Sequence, residues 1–195
     1  MVLLKQVAIL IRHGESESNI KGLISEDIEG FPLTDTGIRQ AEHAASELKK
    51  IKIDRIISSP VLRARQTAGI IASALNLKVE LDEGIRESGL GPYNNKNSNL
   101  VPYGKRENLG IESFDKIKER SVKSLMNYEG VNVFVSHALP IKTVVSYILS
   151  LDEEESRGIK LSNASITIID LQSRNIISIG SREITPHIME IMQES

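Results

Sequence analysis

Two short apolar runs that each end next to a histidine constrain the fold of this chain more than any other feature. Residues 7–11 lead into Arg12-His13-Gly14, and residues 131–135 lead through a serine into His137. An apolar run of this length predicts a strand buried on both faces, which is typical of a parallel sheet covered by helices. Ligands of such sheets bind beyond the carboxyl ends of the strands. Both histidines are therefore candidate functional residues, although Arg12-His13-Gly14 alone is equally compatible with a solvated turn.

Strand and helix patterns alternate along the whole sequence. The alternation predicts an α/β fold in one domain, residues 1–195: a three-layer α/β/α sandwich with a mainly parallel sheet, one antiparallel edge strand and a small lid insertion. The predicted strands cover residues 7–11, 53–57, 78–81, 131–135, 165–171 and 176–181. The predicted helices cover approximately residues 36–50, 60–76, 112–128 and 138–150. Two irregular stretches remain, a long polar loop over residues 14–35 and the lid segment, residues 88–110.

The composition argues against several classes of function. The 24 lysines and arginines nearly balance the 26 aspartates and glutamates, so the net charge of -2 predicts no nucleic acid partner and no attraction to an anionic membrane. The absence of cysteine removes disulfides, thiolate metal sites and a cysteine nucleophile. No apolar stretch approaches the 18 or so residues of a membrane span, and we expect a cytoplasmic protein. The sequence is compatible with a homodimer.

The candidate residues predict a small cationic pocket. If the two histidine-tipped strands are parallel neighbours, His13 and His137 meet at one crevice of the sheet edge. Arg63 lies in the first turn of the helix after the 53–57 strand and can point toward the same crevice. That helix start would add free N–H groups and the positive end of a helix dipole. Together with Arg12, this arrangement fits a phosphate group.

Six motifs occur in order along the chain. They are Arg12-His13-Gly14-Glu15 with Asn19, Pro32-Leu33-Thr34 with Gly37, Ser58-Ser59-Pro60 with Arg63 and Gln66-Thr67-Ala68, Ile85-Arg86-Glu87, Glu112-Ser113 with Arg120, and Val135-Ser136-His137-Ala138. In order and spacing these motifs resemble those of the histidine phosphatase superfamily, also called the phosphoglycerate mutase-like family, across most of the chain. Three places depart from the family pattern: residues 91–95 replace a Gly-Asp-Trp-Glu-Gly stretch, Ala138 replaces a glycine and Lys142 replaces an arginine.

The residues at these motifs suggest phosphoryl transfer through a covalent intermediate. A neutral His13 can attack phosphorus in line and form a phosphohistidine. The groups expected to hold the phosphoryl oxygens are Arg12, Asn19, Arg63, His137 and the amide of Ala138. Glu87 would protonate the leaving oxygen and then accept a proton from the attacking water, a role that predicts a partly desolvated carboxyl group. The scheme requires neither a metal nor a cofactor.

Three functions remain open at this point. The resemblance favours a metal-independent phosphomonoesterase acting on small phosphorylated metabolites, because only 50 residues separate Glu87 from His137 and a short lid lets water reach the phosphohistidine. The alternatives are a cofactor-dependent phosphoglycerate mutase and a catalytically silent module that binds a phosphorylated ligand. The divergent stretch at residues 91–95 keeps the silent module open.

Several other polar residues are interpreted without a catalytic role. The basic side chains Lys96, Lys105 and Arg106 of the lid do not form the pattern that mutases of the family use. Arg65 is interpreted as an ion-pair or solvent residue, and His43 as part of a solvated helix face. His187 and the acidic run at 153–155 are placed at the surface.

Overall fold

The two histidine-tipped strands lie side by side in the middle of one sheet. The structure is a computed structural model, and it describes residues 6–194. The strands are β1 Gln6–Arg12, β2 Leu23–Ile24, β3 Arg55–Ser58, β4 Val79–Leu81, β5 Lys96–Asn97, β6 Gly130–Ser136, β7 Ile166–Asp170 and β8 Asn175–Ser181. The α-helices are α1 Glu17–Ile20, α2 Asp35–Leu48, α3 Leu62–Leu75, α4 Phe114–Met126, α5 Ala138–Leu149, α6 Glu153–Ser156 and α7 Pro186–Glu194. Short 3-10 turns cover Glu83–Ile85, Gly91–Tyr93, Ser98–Leu100 and Arg106–Leu109.

Six of the strands form a mixed sheet in the order β4-β3-β6-β1-β7-β8. Strands β4, β3, β6 and β1 are parallel, whereas β7 runs antiparallel to both of its neighbours, β1 and β8. The predicted mainly parallel sheet is confirmed. The antiparallel strand, β7, lies next to the edge of the sheet rather than at it. The edge position is taken by β8, which forms a hairpin with β7.

The core occupies both faces of the sheet, as the apolar runs predict. Residues 7–11 of β1 are at most 1% exposed. The odd-numbered members pack with residues of α2, α3 and α7, and the even-numbered members pack with residues of α4 and α5. Successive side chains of a strand point to opposite faces, so one short run serves both halves of the core. The three layers of the predicted sandwich follow from this arrangement.

The pairing register of β1 and β6 brings both histidines to one edge. Arg12 lies opposite Ser136 in this parallel pair, so the next residue on each strand is a histidine. The amide of His13 continues the ladder by donating to the Ser136 carbonyl at 2.9 Å. His13 and His137 therefore leave the sheet together, at the carboxyl ends of its parallel strands.

Two glycines let the loop after β1 pack against the start of α2. A Cβ on Gly37 would lie 1.9 Å from the carbonyl oxygen of Glu15, and a Cβ on Gly14 would lie 2.5 Å from the carbonyl oxygen of Gly37. Such distances exclude any side chain at either position without movement of the backbone. The glycines thus fix the course of residues 13–15, which we call the catalytic loop because it begins with the candidate nucleophile His13.

The two irregular stretches differ from the sequence prediction because they pair with each other. The predicted polar loop, 14–35, contains α1 and β2, and the lid segment contains β5. Strands β2 and β5 form a separate antiparallel sheet, with Leu23 opposite Asn97 and Ile24 opposite Lys96. The lid is therefore tied to the first loop. Helix α7 was not predicted from the sequence. No helix within residues 6–194 has the length and apolar character needed to cross a membrane.

Candidate active site

A cavity of about 360 Å³ opens beyond the carboxyl ends of the central strands. The candidate residues in its walls are Arg12, His13, Asn19, Arg63, Glu87 and Ala138. His137 lies behind Arg63 and is fully buried, with its Nδ1 atom 3.2 Å from Nη2 of Arg63. The structure thus brings together every residue that the sequence placed at the site.

The ring of His13 is held in one orientation. Its Nδ1 atom lies 2.7 Å from the carbonyl oxygen of Gly14, which can only accept, so Nδ1 carries the proton and Nε2 keeps the lone pair. Nε of Arg63 donates a hydrogen bond of 3.1 Å to that Nε2 atom. The nitrogen able to attack phosphorus therefore faces a cation inside the cavity.

His137 is held in the opposite tautomer. Because a guanidinium group only donates, the contact with Arg63 Nη2 makes Nδ1 of His137 an acceptor and leaves the proton on Nε2. The Nε2–H group donates to Oγ of Ser59 at 2.8 Å. The ring centroids of His13 and His137 are 5.2 Å apart. Nδ1 of His137 is thus the ring atom that faces Arg63 and Glu87.

Both histidines are kept neutral by their surroundings. Burial lowers the pKa of His13 well below its usual value, and the charges of Arg63 and Arg12 lower it further. Burial lowers the pKa of His137 in the same way, with Arg63 as the next contributor. A neutral imidazole is the nucleophilic form, so His13 is ready to attack phosphorus at physiological pH.

Two arginines present buried donors without a protein acceptor. Within residues 6–194 these are Nε of Arg12 and Nη1 of Arg63. Other atoms of the same groups are fixed, since Arg12 Nη1 donates to the Leu161 carbonyl at 2.7 Å and Arg63 Nη2 donates to the Ser25 carbonyl at 2.8 Å. A buried donor left unpaired costs about 1–3 kcal/mol. Both N–H groups belong to residues that line the same cavity, and together they fit the oxygens of an anion such as phosphate.

Asn19 is oriented so that its amide nitrogen is left for a ligand. Its Oδ1 atom accepts from the amide of Ser16 at 3.0 Å and from Nδ2 of Asn163 at 3.1 Å. The same Asn163 nitrogen donates to the carbonyl of His13 at 3.1 Å. Asn19 Nδ2 is therefore a further donor at the cavity, as the sequence predicted.

The start of α5 lies at the cavity, and the start of α3 is partly engaged elsewhere. The sequence predicted that α3 contributes free amides, but the Leu62 amide at its start donates to the Ile28 carbonyl at 2.7 Å. Arg63 lines the cavity, and neither Leu62 nor Val61 does. In contrast, Ala138 and the following leucine of α5 are cavity residues. The first amides of α5 therefore supply the partial positive charge that a bound anion requires.

Glu87 lies between Arg63 and His137. Its Oε2 atom is 3.5 Å from Nη2 of Arg63 and 3.5 Å from Nδ1 of His137, and its Oε1 atom accepts from the amide of Ser88 at 2.9 Å. The side chain is 19% exposed, which agrees with the expected partial desolvation. A carboxyl group in this position is within reach of both the phosphate pocket and solvent.

An ion pair holds the backbone of Glu87 in place. Glu112 and Arg120 form a two-bond contact with nitrogen–oxygen distances of 2.8 and 3.0 Å. Arg120 also donates to the Glu87 carbonyl at 3.1 Å. Burial alone would raise the pKa of Glu112, but hydrogen bonds from Arg120 and from the amide of Gly89 outweigh it, so that the pKa is lowered. Glu112 and Arg120 were recognised in the sequence as a motif, but it was not predicted that they hold the backbone of Glu87.

Arg106 lines the cavity from the lid, although the sequence gave it no part in the site. Its Nε donates to the Glu112 carbonyl at 2.7 Å, and its Nη2 donates to Oγ of Ser88. Burial lowers the pKa of Arg106, whereas nearby Glu153 and Glu87 raise it. The neighbouring wall is mostly apolar and includes Leu23, Ile24, Leu90, Val101, Ile111 and Leu139. Arg106 is therefore a third arginine at the cavity, on its lid side.

The divergent stretch at residues 91–95 supports the site without lining it. Nδ2 of Asn94 and Nδ2 of Asn95 donate to the two carboxylate oxygens of Asp27, each at 2.7 Å, and these hydrogen bonds lower the pKa of Asp27. The segment held in this way includes Ser25, whose carbonyl accepts from Arg63. The departure from the family pattern thus helps to position Arg63.

Other side chains lie as the sequence suggested or have simple partners. Arg65 pairs with Glu29 at 2.6 Å, and the side chain of His187 is 78% exposed. His43 is exposed, but its Nε2 donates to the Arg182 carbonyl at 3.1 Å. Ser59 was quoted in a motif without a role, and no sequence signal marked the Ser25 carbonyl. Among residues 6–194 no group of three or more His, Cys, Asp or Glu side chains could hold a metal ion.

Comparisons with known proteins agree with this geometry. The family model of the histidine phosphatase superfamily (branch 1) matches residues 8–179. A 2,3-bisphosphoglycerate-dependent phosphoglycerate mutase of Thermoplasma acidophilum is 40% identical over 96% of this chain and 98% of its own length. A putative phosphoserine phosphatase 2 of Hydrogenobacter thermophilus is 29% identical over 84% of this chain and 88% of its own. A phosphoserine phosphatase variant of Entamoeba histolytica, solved with phosphoserine, has a TM-score of 0.78 and 26% identity, covering 93% and 98% of the two chains.

Proposed function

This chain belongs to the histidine phosphatase superfamily (branch 1), and from that premise we propose that it hydrolyses small phosphomonoesters through a phosphohistidine on His13. One observation carries the proposal. The unprotonated Nε2 of His13 lies 3.1 Å from Nε of Arg63, in a cavity where Arg12 and Arg63 each keep an N–H group without a protein acceptor. A nucleophile and unpaired cationic donors in one cavity are what in-line attack on a phosphoryl group requires.

In the first step, Nε2 of His13 attacks phosphorus. A nitrogen–phosphorus bond forms, the bond from phosphorus to the leaving oxygen breaks, and that oxygen takes a proton from Glu87. Arg12, Arg63 and the first amides of α5 hold the equatorial oxygens, whose charge is spread in the transition state. Nδ1 of His137 accepts a hydrogen bond from Nη2 of Arg63 and so helps to orient that guanidinium group toward the phosphoryl group.

In the second step, water replaces the alcohol. Glu87 takes a proton from the water, the water oxygen attacks phosphorus, and the nitrogen–phosphorus bond breaks with return of the electron pair to Nε2 of His13. The products are an alcohol and inorganic phosphate. The chemistry needs no metal, because the positive charge is supplied by Arg12, Arg63 and the start of α5.

Arg106 supports a leaving group that carries an acid. It is a cation near Glu87 on an otherwise mostly apolar wall, so a carboxylate close to the ester oxygen would reach it while the carbon skeleton contacts the apolar residues. The phosphoserine found in the solved relative has such a carboxylate. We therefore propose phosphorylated small acids as the preferred substrates, ahead of neutral sugar phosphates.

The second candidate function is the mutase reaction. The 40% identical relative named as a 2,3-bisphosphoglycerate-dependent phosphoglycerate mutase favours it. Against it, a bisphosphorylated ligand brings a second phosphate, and Arg106 is the one arginine that lines the described cavity besides Arg12 and Arg63. Two phosphates, at about −1.5 to −2 charges each, and a carboxylate carry more negative charge than these three arginines neutralise, which supports hydrolysis of a monophosphate.

The test compares hydrolysis and mutase activity in one preparation. The protein is treated with EDTA and assayed for phosphate release from p-nitrophenyl phosphate, phosphoserine, 3-phosphoglycerate and glucose 6-phosphate. A parallel assay measures conversion of 3-phosphoglycerate to 2-phosphoglycerate with and without 2,3-bisphosphoglycerate. We expect phosphate release that survives EDTA and prefers the phosphorylated acids. Faster isomerisation than hydrolysis would establish the mutase instead.

The covalent intermediate is tested separately. Rapid quenching in base after brief exposure to ³²P-labelled substrate should trap a phosphoenzyme that acid destroys, and the His13→Ala variant should yield none. His187→Ala is the matched control, because it removes an exposed histidine outside the cavity. A folded wild-type protein that releases no phosphate from any of these substrates and forms no phosphoenzyme would point to the silent module.

A further inference from the structure

A second cavity lies on the other side of the catalytic loop. It has a volume of about 290 Å³ and is bounded by α2, by the loop before β7 and by the chain after β8. Its charged and titratable lining residues are Arg39, His43 and Arg182, and no aspartate or glutamate lines it. A pocket whose charged lining residues are all basic stands out on a chain with a net charge of -2.

The two arginines of this cavity lack acidic partners. Within residues 6–194 neither Arg39 nor Arg182 forms an ion pair. Arg39 Nη2 donates to Oγ1 of Thr36 at 3.1 Å, which holds it along α2. The neighbouring acid on this helix, Glu42, lines a different cavity. The charge of both guanidinium groups is therefore not neutralised by the protein at this place.

The walls of the cavity are joined to one another. His43 is on α2, and its Nε2 donates to the carbonyl of Arg182 at 3.1 Å. This bond fixes the backbone that carries Arg182 against the helix that carries Arg39. Arg39 and Arg182 thus line one opening from two different segments, α2 and the chain after β8, which suits an anion that bridges them.

Two amide side chains connect this cavity to the catalytic loop. Gln40 lines the cavity, and its Oε1 accepts from the amide of Glu15 at 2.8 Å, which leaves its Nε2–H₂ group as a donor. Asn163 also lines it and donates from Nδ2 to the carbonyl of His13 and to Oδ1 of Asn19. Gln40 contacts the catalytic loop at Glu15, and Asn163 contacts it at His13 and also contacts Asn19. Both side chains line the second cavity as well.

We propose that this second cavity binds a small organic oxyanion, a metabolite with carboxylate or phosphate groups, between Arg39 and Arg182, and that its binding alters catalysis through Gln40 and Asn163. The size supports an organic ligand, since about 290 Å³ corresponds to roughly ten waters at about 30 Å³ each, more than one inorganic phosphate occupies. Displacement of either amide would shift the loop that carries His13. Couplings between sites commonly change affinity about 5- to 150-fold, so we expect a change of at least about five-fold in KM or kcat.

The first test measures binding without using activity. Side-chain amide signals of Gln40 and Asn163 are followed by NMR while citrate is added, and inorganic phosphate is added in a second titration. Citrate cannot be a substrate because it has no phosphoryl group. We expect saturable shifts with citrate in the wild type and their loss in the Arg39→Gln/Arg182→Gln variant. Arg55→Gln/Arg174→Gln is the control, because it removes the same charge from residues outside both cavities.

The two titrations separate the sources of the anion. Shifts with both probes indicate that the site binds oxyanions in general, whereas shifts with citrate alone indicate that it prefers polycarboxylates. Either result supports the proposal. Absence of citrate shifts at tens of millimolar, or equal shifts in the Arg39→Gln/Arg182→Gln variant, would overturn it. This readout is independent of the proposed hydrolase activity, so the two proposals can fail separately.

The second test measures the coupling. Initial rates with p-nitrophenyl phosphate are recorded against citrate for the wild type and both double variants, which should all keep the basal rate. We expect KM or kcat to approach a new limiting value as citrate is raised in the wild type and the control, and no such change in Arg39→Gln/Arg182→Gln. Purely competitive inhibition, equal in all three proteins, would mean that citrate acts only at the catalytic cavity and would refute the coupling.

Discussion

Nε of Arg63 donates a hydrogen bond of 3.1 Å to Nε2 of His13, the nitrogen proposed to attack phosphorus. The bond aims the imidazole at the position that a phosphoryl group would take. It also covers the lone pair that must attack, so substrate binding has to turn this donor from His13 to a phosphoryl oxygen. The unpaired Nη1–H group of Arg63 is available to bind the substrate first. Arg63 therefore orients the nucleophile before binding and holds the phosphate afterwards.

Replacement of Arg63 by lysine should lower kcat severely although the positive charge is kept. The guanidinium group simultaneously contacts His13, His137 and the Ser25 carbonyl, and a single ammonium group cannot reproduce this geometry. We expect kcat for p-nitrophenyl phosphate to fall about 100- to 1000-fold, as for loss of other preorganised donors. Arg65→Lys is the control, two residues along the same helix, and should stay within about two-fold. Equal rates for both variants would refute the role of Arg63.

Glu87→Gln should affect leaving groups unequally. An amide cannot supply a proton, so transfer from an alkyl phosphate such as phosphoserine should slow about 100- to 10,000-fold. p-Nitrophenolate leaves without a proton, and its release in the first turnover should remain fast. The second step would still lack its base, which predicts a burst of p-nitrophenol followed by a slow steady state. A stopped-flow trace without a burst, with both substrates slowed equally, would contradict the assignment.

The buried histidines should make the fold less stable in mild acid. Burial and Arg63 keep the pKa of His13 and of His137 below that of an unfolded histidine, which is about 6.5. As pH falls below that value the unfolded chain takes up protons that the native state refuses, so the free energy of unfolding falls. The loss is at most about 1.4 kcal/mol per histidine and pH unit.

Urea unfolding measures this effect. The free energy of unfolding is determined at about pH 7.5 and pH 5.5 for the wild type and for the His13→Asn/His137→Asn variant. Both proteins carry the same carboxylates, so the difference between the two pH slopes reports on the replaced histidines. We expect the wild type to lose more stability over this range. Parallel slopes would mean that these histidines bind protons as readily in the native state as in the unfolded chain.

Two glycine substitutions should have opposite effects on stability. Gly37→Ala places a methyl group against the Glu15 carbonyl and should cost about 1–3 kcal/mol or more, because backbone must move. Gly69→Ala is the matched control, since Gly69 lies within α3 and a Cβ there meets nothing within 4 Å. Alanine in a helix interior is favoured over glycine by roughly 0.8–1.0 kcal/mol, so this variant should be more stable. Thermal unfolding of both variants provides the comparison.

The regular elements around the site were predictable because their signals are local. The apolar run 7–11 is buried on both faces as its composition suggests, and Thr34 caps α2 by accepting a hydrogen bond from the amide of Gly37. Arg106 was passed over because its neighbours in sequence show no periodicity; a 3-10 turn in the lid places it at the cavity. The amide of Ala138 in α5 was predicted at the phosphate, whereas the hydrogen bond from the Leu62 amide of α3 to the Ile28 carbonyl depended on tertiary packing.

The sequence by itself determined the order of the six strands of the main sheet and of helices α2 to α5, the buried character of β1 and β6, and the residues whose chemistry suits phosphoryl transfer. These properties depend on side-chain period and type over a few residues. Only the tertiary structure decided which nitrogen of His13 is free, that Arg63 covers it across 50 residues of sequence, and that Asn163 reaches the same loop across 150. Strand register and loop packing create those contacts, and both depend on distances between segments that no local pattern encodes.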